Sequence, residues 1–192
     1  MTFTLSRPAR LALITAAALK SLVIVWMVWD RATLIRTGRE IVSTVVPVDP
    51  RDLFRGDYVI LGYPFSAGAE VSLPAGALKG DVVYALLKNT GPAEWELVSV
   101  AATHPGEVAD DQVVLKGRVA YARREAAGSN ERVGRLRYGI ESYFVPEGTG
   151  RALEAQVREN RIEAVLAVGR DGDVAIKGLK VDGKLVAEEP LL

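Results

Sequence analysis

The sequence contains no cysteine and a single histidine, and these shortages exclude several classes of protein. Without cysteine the chain has no disulfide, no thiolate metal site, no iron–sulfur cluster and no cysteine nucleophile. With His104 alone, it cannot build a zinc or iron site from several histidines. A Ser-His-Asp triad would have to use His104, which lies in the loop-like segment "ATHPGE".

The chain also lacks an excess of charge of either sign. It carries 24 Lys and Arg against 24 Asp and Glu, so no global field attracts it to nucleic acid. We therefore expect no nucleic-acid partner. Its 192 residues are enough for one domain with an appendage.

One long apolar run is present near the N-terminus, "LALITAAALKSLVIVWMVW", residues 11–29. At about 1.5 Å per helical residue it would span roughly 30 Å, the thickness of the hydrocarbon core of a bilayer. The run ends in Trp26 to Trp29 rather than in the small residues of a cleavage site. The sequence therefore predicts an uncleaved signal anchor, a transmembrane helix embedded in the lipid bilayer.

Lys20 lies at the middle of this run. A central Lys costs about 3 kcal/mol on insertion scales, while each Leu, Ile or Val returns about 0.3 to 0.6 kcal/mol. The run has nine such residues, so insertion is favoured by a small margin. Two interpretations remain open: Lys20 snorkels to the interface, or it contacts the membrane helix of an integral membrane protein partner.

The flanking charges give a mixed signal for orientation. Arg7 and Arg10 favour a cytoplasmic N-terminus, whereas Arg31, Arg36 and Arg39 lie just beyond the other end. Because the chain ahead of the helix is very short, we expect the N-terminus to stay in the cytoplasm. Residues 1–36 are then the tail, anchor and juxtamembrane segment, and residues 37–192 form a domain outside the cytoplasm.

Beyond the anchor the pattern alternates between apolar and polar residues, which predicts strands separated by turns. In residues 112–121, Val113, Leu115, Val119 and Tyr121 are predicted to share the apolar face, opposite Lys116 and Arg118. The predicted strands are Glu40–Val48, Asp57–Tyr63, Asp81–Asn89, Ala93–Thr103, Gln112–Arg124 and Glu131–Val145.

A single helix is predicted to interrupt the strands, at about Thr149 to Glu159. After it, two Asp-Gly turns, Asp171-Gly172 and Asp182-Gly183, predict a terminal meander. The predicted fold class is α+β and β-rich: one N-terminal transmembrane helix, then a mainly antiparallel β domain with one short helix.

The stretch "VDPRDLFRGDYVILGY", residues 48–63, concentrates charged and aromatic residues between two strand-like runs. Its aspartates, Asp49, Asp52 and Asp57, lack the spacing of an EF-hand loop, and arginines nearby can neutralise them, so we expect no metal. A protease of the signal-peptidase type would need a serine at the turn, where Pro47 stands.

Within this stretch, "GDYVILGY" is similar to the motif that names the GDYXXLXY family of bacterial membrane-anchored proteins. Later segments, "YGIESYFVPEGTG" and "VAIKGLKVDG", also resemble that family. The resemblance implies one N-terminal helix in the bacterial inner (cytoplasmic) membrane and a β-rich domain that is periplasmic or extracellular. It implies no assigned activity, and family members often occur beside multi-spanning membrane proteins.

The motif has two physical interpretations. Its residues either hold the start of a strand, with buried tyrosine rings, or line a groove that binds a peptide, glycan or partner loop. The candidate binding residues are Arg51, Asp52, Arg55, Gly56, Asp57, Tyr58, Leu61 and Tyr63.

For function, the sequence favours a non-catalytic binding or assembly module, or an accessory subunit of a larger integral membrane protein. It predicts no cofactor and identifies no small-molecule ligand. The alternative is a carboxylate-dependent hydrolase acting on an envelope polymer, for which Glu141 and Glu147 offer a candidate acid pair. Residues 116–137 are locally basic and either meet an anionic surface or are balanced by neighbouring carboxylates.

Overall fold

The described residues of the computed structural model form one long helix and eleven strands. The structure describes residues 6–46, 58–66, 70–125, 131–144, 159 and 162–188. The chain divides into two compact units, Met1–Thr33 and Leu34–Leu192. The elements are α1 (Arg7–Thr37), β1 (Arg39–Thr44), β2 (Tyr58–Ile60), β3 (Val71–Leu73), β4 (Val82–Gly91), β5 (Glu94–Ala101), β6 (Gln112–Arg124), β7 (Arg132–Arg137), β8 (Ser142–Phe144), β9 (Ile162–Val168), β10 (Val174–Val181) and β11 (Lys184–Glu188).

Helix α1 contains the predicted apolar run and continues eight residues beyond Trp29. Pro8 occupies its first turn, where a missing N–H costs nothing, and no other Pro or Gly occurs before Gly38. The helix is long and apolar enough to cross a membrane, and a signal sequence near the N-terminus would share these properties. Its apolar side chains from Leu11 to Trp29 are exposed in the structure.

A four-stranded antiparallel sheet has the order β1-β9-β10-β11. Both predicted Asp-Gly turns are confirmed, since they join β9 to β10 and β10 to β11. At the second turn, Asp182 and Gly183 have φ values of 49° and 76°, the left-handed pair that a two-residue hairpin requires. The last turn of α1 packs Leu34 and Ile35 against Ala167 and Ala175 of this sheet.

A five-stranded antiparallel sheet has the order β3-β7-β6-β4-β5. Its two edge strands, β3 and β5, approach each other, so the sheet curls towards a barrel without a ladder between them in the described residues. The start of β5 also lies near β1. The inner faces of the sheets share one apolar core that includes Leu87, Leu115 and Leu166. The predicted β-rich, mainly antiparallel fold is therefore confirmed.

The prediction of one strand over Glu131–Val145 is wrong. The segment forms β7 and β8, which belong to different sheets, and the chain turns between them at Tyr138 to Glu141. Gly139 has a φ of +82°, a conformation that glycine adopts without strain and that breaks the alternation of a strand. Strand β3 was not predicted, because a three-residue segment is too short to show periodicity.

The predicted position of Tyr121 on the apolar face is also wrong. The register of β6 against β7 shifts between Val119 and Tyr121, and this bulge rotates the following side chain to the other face. Tyr121 is 47% exposed, whereas Val113, Leu115 and Val119 are buried as predicted. The helix predicted at 149–159 lies outside the described residues except for Glu159.

Candidate functional site

The motif "GDYVILGY" pairs with the second motif-like segment, "YGIESYF". Strand β2 runs antiparallel to β8, with Val59 opposite Tyr143. The pairing continues past the strands, since the N–H of Leu61 donates to the carbonyl of Glu141 at 2.9 Å. Gly62 forms a bridge with Val46 at the end of β1. Two segments about eighty residues apart in sequence therefore build one local structure.

Glu141 fixes the turn that presents this second segment. Its carboxylate accepts hydrogen bonds from the backbone N–H groups of Tyr138 and Gly139, the latter at 2.9 Å. These are charge-assisted bonds, which are stronger than bonds between neutral groups. Glu147, its proposed partner as a catalytic acid, lies outside the described residues. Among the described residues, the Glu141 carboxylate therefore stabilises the turn.

Tyr63 anchors the motif in the core. Its ring stacks on Phe65 with centroids 5.3 Å apart, and its hydroxyl donates to the carbonyl of Ile140 at 3.0 Å. Burial, and then the nearby charge of Glu141, raises the pKa of the Tyr63 phenol far above its ordinary value. The phenol therefore stays protonated and keeps its donor role.

Tyr138 fills the space beside this stack. Phe65 meets it edge-on with centroids 5.6 Å apart, and a side chain at Gly117 would lie 3.1 Å from its ring. Burial, and then Glu141, raises the pKa of the Tyr138 phenol. Its hydroxyl is buried and has no hydrogen-bond partner among the described residues.

The candidate binding residues of the motif divide into three groups. Leu61 and Tyr63 are 1% and 0% exposed, so their side chains pack the core. Of Tyr58 the structure describes only the backbone, which pairs with Phe144. The remaining candidates, Arg51, Asp52, Arg55, Gly56 and Asp57, lie outside the described residues.

An open groove of about 610 Å³ adjoins the motif, and no pattern in the sequence predicts it. Pro64 and Phe65, which directly follow the motif, form one side of it. The other sides come from the end of β1, the start of β3 and the β4–β5 hairpin. The groove is lined by Thr44, Val46, Pro64, Phe65, Val71, Thr90, Glu94, Trp95, Glu96 and Leu97.

The β4–β5 hairpin is fixed against β1 by two kinds of hydrogen bond. The N–H of Thr44 donates to the carbonyl of Ala93 at 2.9 Å. The indole N–H of Trp95 donates to the carbonyl of Val42 at 2.9 Å, so this buried ring has its polar atom satisfied. The alternation in "AEWELVSV" is the signal from which the burial of Trp95 could have been found, but it does not show which strand receives the indole N–H.

Two carboxylates lie at the groove on β5. Glu94 and Glu96 are exposed, and the described residues offer neither of them an ion pair. Lys88 lies opposite Glu96 in the ladder, but its ammonium is 3.7 Å from Asp111. The groove thus combines an aromatic and aliphatic lining with negative charge.

His104 lies away from the groove, in a loop. Its Nδ1 accepts the N–H of Gly106 at 3.0 Å, and its ring meets Tyr84 edge-on. Within the part of the chain that the structure describes, no three or more His, Asp or Glu side chains gather as a metal site would require. Lys20 lies on α1 among exposed apolar side chains.

The comparisons with known proteins identify the family of the chain and nothing finer. No curated protein and no solved structure gives a significant match. One family model does match, that of the GDYXXLXY protein, over residues 20–179. This range begins within α1, includes the motif and its partner segment, and ends in β10. The chain therefore belongs to the GDYXXLXY protein family.

Proposed function

We propose that the protein is a membrane-anchored, non-catalytic binding and assembly module of the bacterial inner membrane. Helix α1 anchors it with the N-terminus in the cytoplasm, and residues 37–192 form the periplasmic or extracellular domain. The observation that carries the proposal is the groove beside the motif, with its aromatic lining and its two carboxylates without an ion pair in the described residues.

The chemistry of the groove favours an extended peptide segment of a partner protein. Its volume of about 610 Å³ lies in the range that receives ligands, and suits a few side chains. Leu97 and Val71 are half-buried and suit an apolar side chain, next to the buried rings of Phe65 and Trp95. Glu94 and Glu96 suit a Lys or Arg beside it. Strand β5 is also the last strand of its sheet, so its outer edge offers backbone groups to an extended chain.

The partner that we propose is an integral membrane protein. A protein held in the bilayer by α1 meets other membrane proteins at high effective concentration, so a weak groove contact suffices. Lys20 in the middle of the apolar run supplies a second contact with a membrane helix. The protein would then be an accessory subunit that holds a loop of its partner.

The test of the groove uses synthetic peptides of alternating apolar residues and either lysine or glutamate. Binding to the full chain in detergent is measured by fluorescence anisotropy. We expect the lysine peptide to bind more tightly, and Glu94→Gln with Glu96→Gln to weaken it several-fold, since an exposed ion pair contributes about 0.2 to 1 kcal/mol. Equal affinity for both peptides would contradict the proposed ligand.

Two controls separate the groove from the general surface. Glu107→Gln with Glu188→Gln removes the same charge from exposed positions that do not line the groove, and should leave lysine-peptide binding unchanged. Leu97→Ala should weaken both peptides, because it removes part of the apolar lining. Leu185→Ala, which removes an exposed leucine on β11, should weaken neither.

A further inference from the structure

We propose that the outer face of β6 and β7 binds the anionic headgroups of phospholipids. We call this surface the basic face. It consists of Lys116, Arg118, Tyr121, Arg123, Arg135 and Arg137. The inference uses the membrane anchoring of the proposed function but does not depend on the groove.

The ladder between β6 and β7 sets these side chains on one surface. Arg118 lies directly opposite Arg137, and Tyr121 lies directly opposite Arg135. Directly opposite residues share a face, and all four are exposed. Like charges placed directly opposite destabilise a sheet, so the Arg118 and Arg137 pair has a cost that a bound anion would relieve.

The carboxylates of the described residues neutralise only part of this surface. Glu70 makes a bidentate pair with Arg123, and Asp173 pairs with Lys116 at 3.1 Å. The guanidinium of Arg118 donates to the carbonyl of Gly80 at 3.1 Å. The charges of Asp171 and Glu125 also act on Lys116 and Arg123. Five cationic side chains against these four carboxylates leave a net charge of +1.

Arg118, Arg135 and Arg137 form no ion pair with the described residues, and of these Arg135 and Arg137 also form no side-chain hydrogen bond with them. Both are exposed, and Arg135 adds to the positive charge that lowers the pKa of Glu70. A guanidinium presents a planar fork of donors that matches phosphate oxygens. Tyr121, between charged neighbours, has the apolar ring and polar tip that suit a membrane interface.

The basic face adjoins the β9–β10 turn, which lies beside the first residues of the second unit. Leu34 begins the second unit of the chain and packs against Ala167 and Ala175, beside the β9–β10 turn. That turn contacts the basic face directly, because the N–H of Lys116 donates to the carbonyl of Gly172 at 2.7 Å. The ion pair between Lys116 and Asp173 is part of the same contact.

The short connection to the anchor favours lipid over a soluble acidic partner. Arg39 of β1 follows Trp29, the last residue of the apolar run, by only ten positions. The domain is therefore confined to the neighbourhood of the bilayer, within reach of the lipid headgroups. Attraction of this kind adds about fivefold in surface affinity for each Lys or Arg and falls off within a Debye length.

The experiment places a fluorescent label beside the basic face and quenches it from the membrane. Because the sequence has no cysteine, Ser72→Cys on β3 gives a single labelling site next to β7. Val186→Cys on β11 gives the control site, since Val186 is exposed in the other large sheet. The full chain is reconstituted in nanodiscs that contain lipids with a quencher on the headgroup.

We expect quenching of the Ser72 label to rise when phosphatidylglycerol is added to phosphatidylcholine discs, and to fall again in high salt. Arg135→Gln with Arg137→Gln should lower the equilibrium constant for surface binding, the ratio of bound to free domain, by about fivefold for each arginine. Lys180→Gln with Lys184→Gln removes the same charge from β10 and β11, in the other large sheet, and should change nothing.

Three results would overturn the proposal. The first is equal quenching in neutral and anionic discs, and the second is equal behaviour of the two double variants. The third is quenching that does not change with the lipid composition, together with the loss from the arginine variant of an acidic protein that co-purifies with the wild type. That result would assign the basic face to binding the acidic protein. Peptide binding in detergent is independent of all three, and failure of the chain to enter nanodiscs would instead contradict the anchor.

Discussion

At the scale of single residues, two buried tyrosines differ in how their hydroxyl groups are satisfied. Tyr63 donates to the carbonyl of Ile140, whereas the hydroxyl of Tyr138 has no partner in the described part of the chain. Removing a hydroxyl that satisfies a buried carbonyl leaves that carbonyl unpaired. Removing a hydroxyl without a partner removes a desolvation cost.

This contrast predicts opposite results for two matched substitutions. Tyr63→Phe should lower the free energy of unfolding by about 1 to 3 kcal/mol, because the Ile140 carbonyl loses its donor while the ring stack remains. Tyr138→Phe should leave stability unchanged or raise it. Urea unfolding of the full chain in detergent, followed by circular dichroism, measures both. Equal destabilisation by the two substitutions would contradict the hydrogen bond from the Tyr63 hydroxyl to the Ile140 carbonyl.

The pair of Glu70 and Arg123 gives a prediction for pH. The hydrogen bond from Arg123 lowers the pKa of Glu70, with smaller contributions from the charges of Arg123 and Arg135. A carboxyl with a lowered folded-state pKa stabilises the fold above its unfolded pKa, and this contribution is lost as the pH falls through the folded value.

Glu70→Gln should therefore lower the melting temperature at neutral pH, and the difference from wild type should vanish in acid. Thermal melts of both proteins across a pH series measure this. Glu107→Gln, at an exposed loop position, serves as the control and should show no such crossover. A difference that stays constant with pH would show that the pair does not act through the charge of Glu70.

The burial of the motif side chains could be predicted from the sequence, but the hydrogen-bond partner of Tyr63 could not. A period of two puts Val59, Leu61 and Tyr63 on one face, and all three are buried. The acceptor for Tyr63 could not be predicted, because Ile140 lies 77 positions away and follows a turn that interrupts the strand pattern. Local periodicity gives burial but not the identity of a distant partner.

At the scale of elements, the alternating pattern predicts strands better than it predicts their ends. The segment from 131 to 145 alternates through both β7 and β8, and only the turn at Gly139 sends β8 to a different sheet. The groove was unpredictable for a related reason. Its lining comes from β1, β3, β4, β5 and the turn at Pro64, so it depends on two edge strands approaching across the sheet.

The end of α1 behaves as part of the second unit. Ile35 is 4% exposed and packs against Ala167 and Ala175 of the four-stranded sheet. Truncating a buried isoleucine costs about 2 to 5 kcal/mol through lost transfer energy and the cavity left behind.

Ile35→Ala should therefore destabilise the domain by about 2 to 4 kcal/mol in urea unfolding of the full chain. Ile24→Ala makes the same change at an exposed position within the apolar run, and should leave the unfolding of the domain unchanged. If both variants unfold like wild type, the last turn of α1 contributes nothing to the domain.

At the scale of the whole molecule, composition and pattern were enough for the general architecture. The sequence was enough to predict one apolar helix, a β-rich domain after it and membership of the GDYXXLXY family. Each of these features depends on residues that are close together in the sequence. The surfaces could not, since the groove and the basic face each require residues from separate strands. The sequence identified Lys20 and the basic segment of residues 116–137. Only the pairing of β6 with β7 shows which of the basic side chains share one face.

Lys20 is the residue of α1 whose position most needs a partner to explain it. In an isolated membrane helix, Lys20→Leu would lower the insertion free energy by about 3 kcal/mol, so a Lys without a partner makes insertion less favourable and stabilises nothing. Our proposed function gives it a contact with an acidic or carbonyl group on a helix of the partner. Such interhelical polar contacts contribute about 1 kcal/mol or less to association.

We therefore expect Lys20→Leu to insert as well as wild type but to retain several-fold less of the integral membrane partner through washing in mild detergent. Ser21→Leu removes the neighbouring polar side chain and should retain the partner fully, and Lys20→Arg should restore most of the loss because it keeps the charge. Quantitative mass spectrometry of the co-purified membrane proteins measures this. Identical recovery from wild type, Lys20→Leu and Ser21→Leu would assign Lys20 to snorkelling, because a side chain that reaches the interface on its own needs no partner.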